Sequence, residues 1–205
     1  MIKTPEREFR AAVIGGSAGA IEALSVILRS LPDDYALPIL VVQHLHPTSG
    51  SYLARLLDGL CQLRVTEACD KEPVRPGHVY VAAADYHLLV ERDETLALSI
   101  DEKVNWSRPS IDVLFESAAR VWAEQLVGVL LSGANSDGTE GMRTIKRCGG
   151  LTLAQDPRSA AHPVMPQAAI DAGCIELVLP PNEIATQLVQ TTSPCSPLRE
   201  QGSAS

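Results

Sequence analysis

The sequence predicts an α/β fold: a doubly wound, mainly parallel sheet with helices on both faces and an inserted β-hairpin region. Three observations predict it. Apolar runs of strand length alternate along the 205 residues with segments of helical periodicity, the order that builds a parallel sheet. Runs such as Pro38-Ile39-Leu40-Val41-Val42-Gln43 are apolar almost without interruption, as strands covered on both faces are. The middle of the chain instead carries short β-rich runs separated by turn signals.

Ala11-Ala12-Val13-Ile14 reads as the first strand and runs into Gly15-Gly16-Ser17-Ala18-Gly19. Ile21, Leu24, Leu28 and Leu31 recur at intervals of three and four, so a helix with one buried stripe follows and ends near Pro32-Asp33-Asp34. The second strand stops at His44, and Ser51 to Leu57 reads as a helix. Leu63 to Ala68, His78 to Ala82, His87 to Glu91 and Leu96 to Ile100 read as hairpins at one side of the sheet, with Arg75-Pro76-Gly77-His78 among their turns. Helical spacing returns at Ile111, Leu114, Phe115, Ala118 and Trp122, before the strand Leu126 to Leu131. A helix (Thr139 to Cys148), a strand (Leu151 to Gln155), a helix (Met165 to Ala172), a strand (Glu176 to Leu179) and a helix (Asn182 to Gln190) complete the alternation. Residues 1–10 read as an N-terminal extension, 11–190 as one α/β domain, and 191–205, rich in Ser, Pro and Gln, as a disordered tail.

With 45% apolar residues the chain can fill the core of one sizeable domain, whereas two would be cramped. A formal charge of -8, with no lysine or arginine cluster, argues against a nucleic-acid partner. The polar first residues and short apolar runs supply neither a signal sequence nor a membrane span, so a cytoplasmic protein without direct membrane insertion is expected. The five cysteines are odd in number and form no C-x-x-C pair, which suits a reducing compartment and argues against a bound metal.

Gly15-Gly16-Ser17-Ala18-Gly19 is a G-x-S-x-G sequence between a strand and a helix, the context of a nucleophile elbow. In parallel α/β sheets functional groups gather at the carboxyl ends of strands, and Ser17, His44 and Asp137 each follow an apolar strand. A serine nucleophile needs an imidazole to take its proton, and the imidazole needs a carboxylate that fixes its tautomer. Each residue also has a plainer role. Ser17 fits a helix cap, His46 is a second base two positions after His44, and Asp137-Gly138-Thr139-Glu140 has the form of a capping box. Nucleotide binding is disfavoured, because the glycine turn lacks the G-x-G-x-x-G register and no acidic residue ends the next strand.

These segments together resemble the catalytic domain of the chemotaxis protein-glutamate methylesterases (CheB type). The likeness covers about residues 11 to 190. It is carried by Val13 to Ala20, Val41 to His44, Glu67-Ala68, Pro76 to Ala82, Arg108 to Phe115, Ser132 to Met142, Ala154-Gln155-Asp156 and Met165 to Ile170. The order serine, histidine, aspartate also separates the chain from α/β-hydrolases, in which the acid precedes the histidine. The resemblance implies Ser17 as nucleophile, His44 as general base and acid, and Asp137 as orienting carboxylate, with no cofactor. It implies hydrolysis of glutamyl γ-methyl esters on a methylated chemoreceptor or receptor-like protein, with deamidation of receptor glutamines as a related activity. Where the family commonly has a hydroxyl residue after the nucleophile and a methionine three before the aspartate, this chain has Ala18 and Ala134, whose backbone amides can still form an oxyanion hole. The segments Leu45-His46-Pro47-Thr48 and His162-Pro163-Val164-Met165-Pro166 also depart from the family's usual ones.

Regulated members of that family carry an N-terminal receiver, and Met1 lies only a few residues before the first strand. The expectation is therefore a domain that is constitutively active or controlled by another chain, such as a separate receiver or a methyltransferase partner. Two rivals stand beside the methylesterase: a serine hydrolase of the same fold with another ester substrate, and a non-catalytic signalling module that binds a receptor or methyltransferase.

Overall fold

Strands and helices alternate from β1 (Ala11–Gly16) through α1 (Ala20–Ser30), β2 (Ile39–Gln43) and α2 (Tyr52–Asp58) to β3 (Arg64–Glu67), after which β4 (His78–Val81) comes without an intervening helix. The strands β5 (His87–Val90) and β6 (Leu96–Ser99) follow, then α3 (Ile111–Trp122), β7 (Leu126–Leu130), α4 (Thr139–Arg147), β8 (Leu151–Gln155), α5 (Val164–Asp171), β9 (Leu177–Leu179) and α6 (Pro181–Gln190). The structure, a computed structural model, describes residues 8–44 and 52–192. The expected disorder beyond residue 192 lies outside the described residues.

One seven-stranded sheet, ordered β3-β4-β2-β1-β7-β8-β9, holds the fold together, and every pairing within it is parallel. The central strand β1 shows why both faces must be covered. Its side chains alternate, so that Ala12 and Ile14 join a core with Leu24, Ile27 and Leu188 from α1 and α6. Ala11 and Val13 join a second core with Leu114, Phe115, Met142 and Ile145 from α3 and α4. Polar substitution at any of these positions puts an unpartnered group into a dry interior.

The four middle runs divide differently from the expectation of hairpins. Only β5 and β6 pair antiparallel, Leu88 opposite Leu98, while β3 and β4 are parallel strands of the main sheet. The turn at Arg75-Pro76-Gly77 is present, but the chain between β3 and β4 first runs across the hairpin. Lys71 N–H donates to Leu96 O, Leu96 N–H to Glu72 O and Val74 N–H to Glu94 O. That excursion returns the chain to the same end of the sheet, and a strand that restarts there is parallel to its predecessor.

After β1 the chain lays β2, β4 and β3 to one side; it then crosses to place β7, β8 and β9 on the other. The carboxyl ends of β1 and β7 therefore flank the point where strand order reverses, which is where open α/β sheets leave a crevice.

Candidate active site

Ser17 and His44 leave adjacent strands side by side. Gly16 is paired with Gln43, and the His44 amide donates to Gly16 O at 3.0 Å. On the other flank, Leu131 N–H donates to Gly15 O (2.8 Å) and Ser17 N–H to Ser132 O (2.9 Å), extending the β1–β7 ladder past the last strand residues. Two buried glutamines close the strand ends. Gln43 Nε2 donates to Ser17 O at 2.7 Å, and Gln155 Oε1 accepts from the Ser132 amide at 2.9 Å. The serine turn is thus fixed through its backbone, and Gly19, with φ of 74°, supplies the left-handed residue that begins α1. Ser17 does not cap that helix, which has no side-chain cap bond.

Asp137 is fully buried, and its carboxylate is crowded with donors. Oδ2 accepts from His44 Nε2 at 2.9 Å and from the Ile111 amide at 2.7 Å. Oδ1 accepts from Asn105 Nδ2 (2.9 Å), Ser110 Oγ (2.9 Å), the Asp112 amide (3.2 Å) and the Gly138 amide (3.1 Å). Ile111 and Asp112 open α3, so the carboxylate sits on the free amides of that helix, where the helix dipole also favours an anion. The capping-box reading thus meets a correction in direction: α4 has Gly138 as its cap residue, and Asp137 serves the N-terminus of α3 instead. A close approach makes this contact attainable. A Cβ on Gly15 would lie 2.3 Å from Ile111 Cγ2, so only glycine lets the first turn of α3 descend onto β1.

The hydrogen bond from Nε2 to Asp137 fixes one end of the His44 ring, whose side chain is 13% exposed. Among the described residues no hydrogen bond joins the Ser17 hydroxyl to that ring; the two meet at the ends of paired strands. His46, the second base candidate, lies outside the described residues.

Ser132 ties the loops around Ser17 to one another. Its hydroxyl donates to Ala18 O at 2.8 Å and accepts from the His162 amide at 2.9 Å, while Gly133 N–H donates to His162 O. Ala18 and Ala134 are exposed on two of these loops, and among the described residues neither amide has a backbone acceptor.

Beside Asp137 lies a second buried carboxylate. Asp112 Oδ1 accepts from the Gly141 amide at 2.7 Å and Oδ2 from Asn105 Nδ2 at 2.7 Å. Burial, aided by the neighbouring charge of Asp137, pushes Asp112 up to about 6 despite those two donors. Burial acts on Asp137 in the same sense. There the hydrogen bonds from His44, Asn105 and Ile111, with the His44 charge, outweigh it and hold the acid down at about 2. One carboxylate is therefore kept ionised while its neighbour titrates.

The raised acid predicts a pH effect on stability. An acid whose folded value lies above its unfolded 3.8 binds its proton more tightly in the native state, so its stabilisation is complete below pH 4 and is lost as pH rises through about 6. Asp112→Asn does not titrate. Its melting temperature is expected to gain on the wild type between pH 4.5 and 7, by a stability difference on the order of 1 kcal/mol, and to run parallel above pH 7. Parallel melting curves throughout that interval would refute the raised acid.

Sequence reasoning missed Asn105, Ser110, Asp112 and Ser132. Asp112 left a trace, because with Phe115, Ala119 and Trp122 it falls at intervals of three, four and three on the buried face of α3. Gln43 and Gln155 left another, as polar residues ending apolar strands. Asn105 left none, being a loop residue that lies next to Asp137 only in the folded chain.

The chain's similarity to known proteins extends over nearly its whole length. The family profile described as CheB methylesterase matches residues 12–188. A protein of Leptospira interrogans named putative protein-glutamate methylesterase/protein-glutamine glutaminase is 47% identical, covering 89% of this chain and 94% of its own length. A protein-glutamate methylesterase/protein-glutamine glutaminase of Symbiobacterium thermophilum is 40% identical over 88% of this chain, which spans 50% of that relative. The crystal structure of the Thermotoga maritima CheB methylesterase catalytic domain superposes with a TM-score of 0.86 at 34% identity, covering 89% of this chain and 98% of that one.

Proposed function

The chain belongs to the CheB methylesterase family, and on that premise we propose that it is a protein-glutamate methylesterase. It hydrolyses glutamyl γ-methyl esters of methylated chemoreceptors and releases methanol. The observation that carries the reading is the 2.9 Å hydrogen bond from His44 to the buried Asp137, formed at the strand end beside Ser17.

In this reading Ser17 Oγ attacks the ester carbonyl and passes its proton to His44. Because Nε2 is held by Asp137, Nδ1 is the nitrogen that receives it. The carboxylate of Asp137 stabilises the resulting imidazolium without taking its proton. The backbone amides of Ala18 and Ala134 receive the developing oxyanion. Collapse of the tetrahedral adduct breaks the bond to the methoxy oxygen, which leaves as methanol with the proton from His44. Water, deprotonated by His44, then attacks the acyl-serine and frees the glutamate. A γ-amide in place of the ester would follow the same path and release ammonia, which matches the paired activities in the relatives' names.

The test is methanol release from receptor-bearing membranes carrying labelled methyl esters, run beside covalent labelling of Ser17 by a phosphonate ester. Release by the wild type and not by Ser17→Ala is expected. Labelling without release from any methylated receptor would point to another ester substrate. A folded protein that neither labels nor releases methanol would be a binding module, and the proposal would be wrong.

A further inference from the structure

We propose that Asn105 is a positioning residue for hydrolysis: its carboxamide bridges the buried Asp112 to Asp137 and so sets the orientation in which Asp137 holds His44. The inference rests on the roles of Ser17, His44 and Asp137 given above.

The geometry of the bridge is specific. Asn105 Nδ2 donates to Asp112 Oδ2 at 2.7 Å and to Asp137 Oδ1 at 2.9 Å, so both amide hydrogens are committed to carboxylates. Asp112 is itself anchored, by the Gly141 amide at the start of α4. The bridge thus ties the carboxylate that meets His44 to α3 and α4 at once. It also supplies positive partial charge between two acids that would otherwise face one another. An aliphatic side chain at position 105 would leave Asp112 Oδ2 without a described donor and would shift the balance of donors on Asp137 Oδ1 toward Ser110 and the amides of Asp112 and Gly138.

The backbone gives a second observation. Asn105 and Trp106 are consecutive residues with positive φ, 52° and 62°, in a tight turn closed by hydrogen bonds between Val104 and Ser107. Asparagine tolerates that conformation better than most residues, whereas tryptophan does not, so the turn stores strain. Strain held beside a functional carboxylate fits a turn kept for what it presents, which here is the carboxamide.

Asn105→Gly removes the carboxamide while suiting the positive φ, so the turn survives the substitution. The readouts are kcat and KM for p-nitrophenyl acetate, used as a probe ester, and the ring nitrogen-15 shifts of His44. Asn105→Gly is expected to lower kcat about tenfold, the scale of one hydrogen bond to a charged group, with KM within about twofold. The His44 ring shifts should move, since its acceptor has turned. Asp112→Asn, which offers one acceptor oxygen where two are used, is the second variant, with a kcat loss of about threefold and ring shifts moving the same way.

Wild-type kcat in Asn105→Gly, or a lowered kcat with unchanged His44 ring shifts, overturns the proposal and leaves the methylesterase reading intact. Should Asn105→Gly fold poorly, the same two measurements on Asp112→Asn decide the matter. Hydrolysis of the probe ester that survives Ser17→Ala overturns the reading of the site and this proposal with it.

Discussion

Ser17→Ala and His44→Ala are each expected to lower ester turnover by at least about 10³-fold while leaving a folded protein. The loss follows from chemistry that no neighbour replaces. Without the hydroxyl there is no acyl-enzyme, and without the imidazole the hydroxyl keeps its proton at neutral pH. The folded state should persist because the turn is held through its backbone. The Ser17 amide bonds to Ser132 O and its carbonyl to Gln43 Nε2, contacts that alanine retains. In His44→Ala the Asp137 Oδ2 still has the Ile111 amide, so no buried charge is stranded and the stability change should stay near 1 kcal/mol. Methanol release from methylated receptors, read against a melting curve, checks both halves. Near-normal turnover in either folded variant would remove the proposed roles.

The meeting of Ser17 and His44 at neighbouring strand ends was legible in the sequence because their signals are local. Each is a polar residue just past an apolar strand, and the parallel order implied that those strand ends share an edge. Asp137 was legible as a residue expected beside His44, but not in the helix whose amides it accepts. A capping box describes one helix and its own preceding residues, whereas Asp137 turns to the first amides of α3, a choice made by tertiary packing once Ile111 meets Gly15. The same limit explains β3 and β4. Their lengths and composition were read as strands, yet hairpin and parallel pairing differ only in where the intervening chain travels, and here it travels over β5 and β6. Asn105 is the extreme case, a residue with no pattern around it that matters because two buried acids need one donor pair.

Asp137→Asn is expected to cost both turnover and stability, because the carboxylate serves His44 and α3 together. Each oxygen accepts from at least one backbone amide, so the amide nitrogen of asparagine must face N–H donors whichever way it turns. Facing Ile111 and His44 conflicts with fewer donors. That orientation forces the ring to accept at Nε2 and carry its proton on Nδ1, the nitrogen that must be free to take the proton of Ser17. Turnover should fall roughly 10⁴-fold, the scale of a trapped tautomer. The Ile111 amide is left without its acceptor and the charge-assisted bonds are lost, which should destabilise the protein by about 2 to 4 kcal/mol in urea unfolding at pH 7. The deficit must shrink in acid. An aspartate held at about 2 in the fold contributes stability that is present above pH 4 and is lost as pH falls through its folded value, whereas asparagine has none to lose. By pH 2.5 the gap between wild type and variant should have narrowed by more than about 1 kcal/mol. A variant that loses turnover yet unfolds like the wild type would show that Asp137 serves the histidine alone, and the coupling of α3 to the reacting groups would have to be abandoned.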